Sequence, residues 1–77
     1  MDRYARAKLR QRLQALEKEI AELEEGETIA VETLGDPDTY TKDDANDVLK
    51  AWNERLRHIQ TRLPEAYAEW EEAGRML

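Results

Sequence analysis

The sequence lacks cysteine and phenylalanine, and its 77 residues include one histidine, two prolines and three glycines. Without cysteine no disulfide can form, and a single histidine excludes a Cys/His zinc site. No apolar run approaches the roughly 18 residues needed to cross a bilayer, and the Met1 start has no signal-peptide core. We therefore expect a complete, small, soluble cytoplasmic protein whose own core stabilises it by roughly 3–5 kcal/mol.

Charged residues make up 39% of the chain, and the formal net charge of −6 is unevenly distributed. Residues 1–18 carry a balance of +4, whereas the remaining residues carry −10. An acidic body argues against broad nucleic-acid binding, which depends on neutralising phosphates. The basic start predicts either a surface that contacts a partner or DNA, or a solvated helix face. This surface consists of Arg3, Arg6, Lys8, Arg10 and Arg12.

Two segments show the apolar periodicity of amphipathic helices. The first runs from about Arg3 to Glu25 and carries one apolar stripe, formed by Leu9, Leu13, Leu16, Ile20 and Leu23. The second begins at Thr41, where Thr-Lys-Asp-Asp resembles a capping box, and its stripe continues to Leu63. These segments predict two long helices.

Proline divides the second helical segment. Pro64 lacks a backbone donor and clashes with the preceding turn, so it predicts a kink or break, with a last helix from about Glu65 to Gly74. We therefore expect a domain over residues 1–63 and a C-terminal helical extension over residues 64–77.

The segment between the two helices, Gly26 to Thr41, loses the helical pattern. Gly26 stands where a C-cap glycine belongs, and Ile29, Val31 and Thr33 share one face at strand spacing. Gly35-Asp36-Pro37-Asp38 has the composition of a tight turn. The predicted fold class is α+β, mostly α: two long antiparallel helices linked by a short β-hairpin. The alternative is a first helix that continues to Leu34.

The sequence contains no catalytic triad, no phosphate-binding glycine loop and no nucleophilic cysteine. The acidic residues near the turn do not follow the spacing of an EF-hand. We therefore predict no enzyme activity, no cofactor and no metal. Tyr67 and Trp70 lie beyond Pro64, and we predict that they are either partner-interface aromatics or core residues packed against the start of helix 1.

Three short stretches resemble the phage head–tail joining family typified by lambda gpW, namely Leu23 to Ala30 (LEEGETIA), the turn Gly35 to Asp38, and Tyr40-Thr41. The resemblance implies a structural head–tail connector of a tailed phage, located in the virion neck and assembled in the host cytoplasm. Copies would form a homo-oligomeric ring that contacts portal and tail or stopper proteins. DNA would pass through the ring with weak contact, and neither a membrane nor a small-molecule substrate is implied.

A second resemblance rests on other stretches, namely Leu16 to Leu23, Asp36 to Tyr40 (DPDTY), and Ala66 to Glu71. These are similar to the C-terminal antiparallel coiled coil of ABC-F ATPases. That family implies a monomeric helical hairpin that contacts nucleic acid or the ribosome. A generic helical protein-interaction hairpin without a nucleic-acid role is the third alternative.

Overall fold

The computed structural model describes residues 2–77 and consists of two long helices packed side by side. Helix α1 spans Arg3–Gly35 and helix α2 spans Ala45–Arg75, with a short 3₁₀ helix, Pro37–Tyr40, between them. The molecule is a rod of 59 × 15 × 15 Å. Residues 2–77 contain no β-strand. The predicted α+β class with a β-hairpin is therefore wrong, and the alternative of a longer first helix is the correct one.

Packing between the helices explains why α1 continues through the segment that favours strand. Gly26 faces α2, where an added Cβ would lie 3.1 Å from Cδ1 of Ile59. One turn later Ala30 is completely buried, and Thr28 is accommodated because its hydroxyl donates to the Glu24 carbonyl oxygen at 3.1 Å. Small residues at these positions let the two backbones approach closely, and this burial outweighs the β propensity of the neighbouring side chains.

The connection between the helices satisfies the carbonyl groups at the end of α1. The Thr39 hydroxyl donates to the Thr33 carbonyl oxygen at 2.8 Å, and the Tyr40 hydroxyl donates to the Leu34 carbonyl oxygen. The Asp36 carboxylate accepts from the Asp38 amide at 3.0 Å, and Pro37 begins the 3₁₀ helix. Thr39 and Tyr40 therefore cap a helix, because its last carbonyls lack intrahelical donors, and do not form a returning strand.

Helix α2 begins four residues later than the sequence predicts and does not end at proline. The Thr41 hydroxyl bonds to the Asp38 carbonyl oxygen at 2.9 Å and so belongs to the connection, while α2 starts at Ala45. Pro64 lies inside α2, which continues to Arg75, so the predicted break and separate last helix are wrong. The proposed division into residues 1–63 and 64–77 stays a prediction.

The core is a narrow seam that pairs large side chains with small ones. Only six residues of the described chain are buried, all of them apolar: Leu16, Ile20, Ala30, Ile59, Ala66 and Ala73. No polar or charged residue among residues 2–77 is buried. Two helices alone bury little apolar surface. Polar contacts at the edges of the seam therefore contribute more to the specificity of this fold than they would in a protein with a larger core.

Candidate functional site

The first three turns of α1 present a row of arginines. The Asp2 carboxylate accepts from the Ala5 amide at 2.7 Å and caps the helix start. Arg3, Arg6 and Arg10 follow at spacings of three and four, which places them on one face of the helix. All three are exposed, and no ion pair involves them within the described residues. We call these three residues the arginine stripe.

The other two predicted basic residues lie on a different flank of α1. The Lys8 ammonium lies 4.9 Å from the centre of the Tyr4 ring, in a cation–π contact within α1. Nη2 of Arg12 lies 3.1 Å from Oε1 of Glu69 on α2. The predicted basic surface is thus divided into the arginine stripe, whose charges have no internal partner, and a Lys8–Arg12 pair that is engaged within the hairpin.

Charge is segregated along the length of the rod. Residues 22–57, the half that includes the connection, carry eleven acidic and four basic side chains, a net charge of −7. The other half carries seven acidic and eight basic side chains, a net charge of +1. An anionic partner would therefore meet the half that holds the arginine stripe and be repelled from the connection.

A network of ion pairs crosses the seam beside the core. Arg62 binds the Glu19 carboxylate through Nε at 2.7 Å and Nη2 at 2.8 Å. Its Nη1 lies 2.7 Å from Oε2 of Glu69, an ion pair that lacks a well-aligned hydrogen bond, and 3.6 Å from Oε2 of Glu65. The hydrogen bond from Arg62 lowers the pKa of Glu19, and the bond to Glu19 raises the pKa of Arg62. Because the contact to Glu19 is bidentate, it fixes the register of the two helices.

Sequence reasoning missed this network, although a signal for it exists. Arg12 and Glu19 are seven residues apart on α1, and Arg62 and Glu69 are seven apart on α2. Two heptad-spaced pairs of opposite charge on antiparallel helices predict complementary contacts across the seam. The β-hairpin prediction did not lead to these contacts, because it did not define which residues of the two helices lie opposite each other.

The two aromatic residues predicted at an interface lie along the edge of the seam. Nε1 of Trp70 donates to Oε1 of Glu17 at 3.1 Å. A hydrogen bond to the Glu24 carboxylate, together with burial, raises the pKa of the Tyr67 hydroxyl. The indole N–H is thus held by α1, while 40% of Tyr67 and 37% of Trp70 remain exposed. The rings combine a contact within the hairpin with a free surface, and their role toward a partner stays a prediction.

No group of three or more His, Cys, Asp or Glu side chains in residues 2–77 is placed to hold a metal ion. None of the helices in this part of the chain has a stretch long and apolar enough to span a membrane. The surface features that stand out are therefore the arginine stripe, the neighbouring aromatics and the opposing acidic half.

The fold defines the class as a long antiparallel helical hairpin with a coiled-coil type of seam. The family model of the ABC transporter C-terminal domain matches residues 5–73, and the chain belongs to this family. No curated protein and no solved structure matches the chain. The family and the helical connection both favour the second of the two resemblances. The head–tail connector interpretation loses its structural basis, because it depended on a β-hairpin at residues 26–41.

Proposed function

We propose that this hairpin is a nucleic-acid-contacting module of an ABC-type ATPase of the ABC-F kind, and that it binds the phosphate backbone of RNA or DNA. The proposal assigns no catalysis, cofactor or small-molecule substrate to the hairpin itself. Its role is adhesion, by which an ATPase would be held against a nucleic acid or a ribonucleoprotein surface.

The observation that carries this proposal is the arginine stripe. A folded protein commonly pairs arginines with carboxylates, and this chain has 18 acidic residues available. Arg62 and Arg12 are paired in this way, whereas Arg3, Arg6 and Arg10 form no ion pair within residues 2–77. Seven residues of helix between Arg3 and Arg10 extend roughly 10 Å, so the stripe can contact successive phosphates of one strand.

The acidic half of the rod supports a defined binding orientation. With a net charge of −7 in residues 22–57, the connection would be pushed away from the phosphate backbone. The overall charge of −6 keeps non-specific adhesion weak, while the stripe supplies a local attraction.

The experiment compares two triple variants of the 77-residue chain that have the same net charge. The stripe variant carries Arg3→Gln, Arg6→Gln and Arg10→Gln. The matched control carries Lys42→Gln, Lys50→Gln and Arg57→Gln, which neutralises three exposed basic residues on the acidic half. Binding to fluorescently labelled RNA and DNA oligonucleotides is measured by anisotropy at several salt concentrations.

We expect the stripe variant to lose at least about tenfold in affinity and the control to bind like the natural sequence. The slope of log affinity against log salt should fall in magnitude by about 2 to 3 in the stripe variant, the value for three lost phosphate contacts. Equal losses in both variants would show that only net charge matters. If the natural sequence binds neither RNA nor DNA at low salt, the proposed function is wrong.

A further inference from the structure

Trp70 stands between two open grooves that run along the edge of the seam. On one side lies a groove of about 390 Å³ lined by Leu13, Glu71, Gly74 and Arg75. On the other side lies a smaller groove of about 180 Å³ lined by Ile20, Ala21 and Tyr67. The hydrogen bond from the indole nitrogen to Glu17, which lines both grooves, ties Trp70 to α1. A flat ligand entering either groove would meet the indole.

The larger groove, which Glu17 also lines, lies on the same face of α1 as the arginine stripe. Arg3, Arg6 and Arg10 are followed at the same alternating spacing by Leu13 and Glu17, so all five lie on one face of α1. Leu13 lines the groove, and Glu17 accepts the hydrogen bond from Trp70. A chain of phosphates along the stripe would therefore lead directly to the exposed indole.

From this juxtaposition we infer that Trp70 is a stacking platform for an unpaired nucleobase that enters the larger groove, and that the hairpin prefers single-stranded nucleic acid. The inference rests on the proposed function, because the arginine stripe has to hold the phosphates. Every base has a π-face, so stacking on an aromatic side chain accepts any sequence. In a duplex the bases are stacked on one another inside the helix, and they cannot enter a groove between two protein helices.

Gly74 keeps the groove open on the side of α2. A Cβ built at Gly74 would meet no atom within 4 Å, so the backbone at this position leaves open space for a side chain. Gly74→Leu would occupy the groove while leaving Trp70 and every charge in place. Ala51→Leu is the matched control, since Ala51 is an exposed position of α2 on the acidic half.

The experiment uses the intrinsic fluorescence of Trp70 in a Trp52→Phe background, which leaves one tryptophan. Trp52 lies eighteen residues from Trp70 along α2, or roughly 27 Å, so it does not report on the groove. Short oligothymidylate and a DNA duplex of equal length are titrated separately. Anisotropy of a labelled oligonucleotide measures binding in the same samples, and circular dichroism confirms that each variant is folded.

We expect oligothymidylate to quench Trp70 and to bind more tightly than the duplex. Trp70→Leu and Gly74→Leu should each weaken single-strand binding about tenfold, in the range of one lost stacking contact, and Ala51→Leu should leave it unchanged. Equal binding of the duplex with no quenching would overturn the stacking role and leave the phosphate contact intact. Normal single-strand binding by Gly74→Leu would also overturn it. Absence of any binding would refute both this inference and the proposed function.

Discussion

The two helices approach each other closely at Gly26 and Ile59, and the effect of Gly26→Ala on stability should depend on the residue at position 59. In Gly26→Ala two effects oppose each other. Alanine is better than glycine in a helix interior by about 0.8–1.0 kcal/mol. Its Cβ would lie 3.1 Å from Cδ1 of Ile59, so this methyl group must shift by a few tenths of an ångström. Because Ile59 is only 4% exposed, it has little room to move.

Overpacking of this kind costs about 1–3 kcal/mol, so Gly26→Ala alone should be neutral or destabilising by up to about 2 kcal/mol. Ile59→Val removes the Cδ1 atom and costs about 0.5–1.5 kcal/mol by itself. In that background the helix propensity of alanine is no longer opposed, and Gly26→Ala should stabilise the hairpin by about 1 kcal/mol. The double-mutant cycle should therefore give a favourable coupling of about 1 kcal/mol or more.

The assay is urea unfolding of the four proteins followed by far-UV circular dichroism, analysed by linear extrapolation. Gly74→Ala serves as the control, since its Cβ would contact nothing, and its effect should be the same with isoleucine or valine at position 59. If Gly26→Ala stabilised the chain by about 1 kcal/mol in both backgrounds, Gly26 would not be the point of close approach. The packing explanation for the helix in this segment would then be refuted.

Two further predictions concern α2. Arg62→Met removes the cross-seam ion pairs, and it should lower the midpoint of thermal unfolding at neutral pH. Because the folded-state pKa of Glu19 lies below its ordinary value of 4.5, its contribution is present above about pH 4.5 and is lost as the pH falls through the folded-state pKa. Acidification should consequently lower the unfolding midpoint of the natural sequence more than that of Arg62→Met. Equal decreases in the two proteins would contradict the pairing of Arg62 with Glu19. Pro64→Ala restores a helical hydrogen bond at an exposed position inside α2. It should raise the free energy of unfolding by about 2 kcal/mol, after subtracting the stability lost because alanine restricts the unfolded chain less than proline does. An unchanged free energy in urea unfolding would show that α2 accommodates the proline without strain.

The sequence pattern predicts the two packed faces well and the connection poorly. Leu16 and Ile20 of the first apolar stripe are buried, as their spacing of four indicates. At Ala30 the same reasoning fails, because an alanine is too small to mark a core position by its apolar character. In this hairpin Ala30 is fully buried and its neighbour Gly26 accepts the end of Ile59. The spacing of apolar residues within one helix cannot reveal that a small side chain fills a core position, because the size required depends on which residue of the other helix lies opposite.

The connection shows a second limit of local patterns. Thr39 and Tyr40 have high strand propensity, and with Gly35 to Asp38 before them they suit a hairpin. In the structure their hydroxyl groups reach back six residues to the carbonyls of Thr33 and Leu34. Strand propensity describes the conformation that a residue favours in isolation. A capping hydrogen bond depends instead on the unpaired carbonyl groups at the end of a neighbouring helix. The turn predicted at Asp36 and Pro37 exists, but it connects two helices and not two strands.

The candidate site was partly accessible from the sequence, because charge and aromatic positions can be counted before their partners are known. The structure adds a distinction between arginines that form ion pairs within the hairpin and arginines that do not. Arg12 and Arg62 form ion pairs across the seam, so replacing Arg62, whose contact to Glu19 is bidentate, should change stability. Arg3, Arg6 and Arg10 contact no carboxylate in the described chain, so neutralising them should leave stability nearly unchanged. If the stripe variant loses nucleic-acid affinity while its urea midpoint stays within error of the natural sequence, the stripe serves binding and not folding. A lowered midpoint would instead make it part of the scaffold.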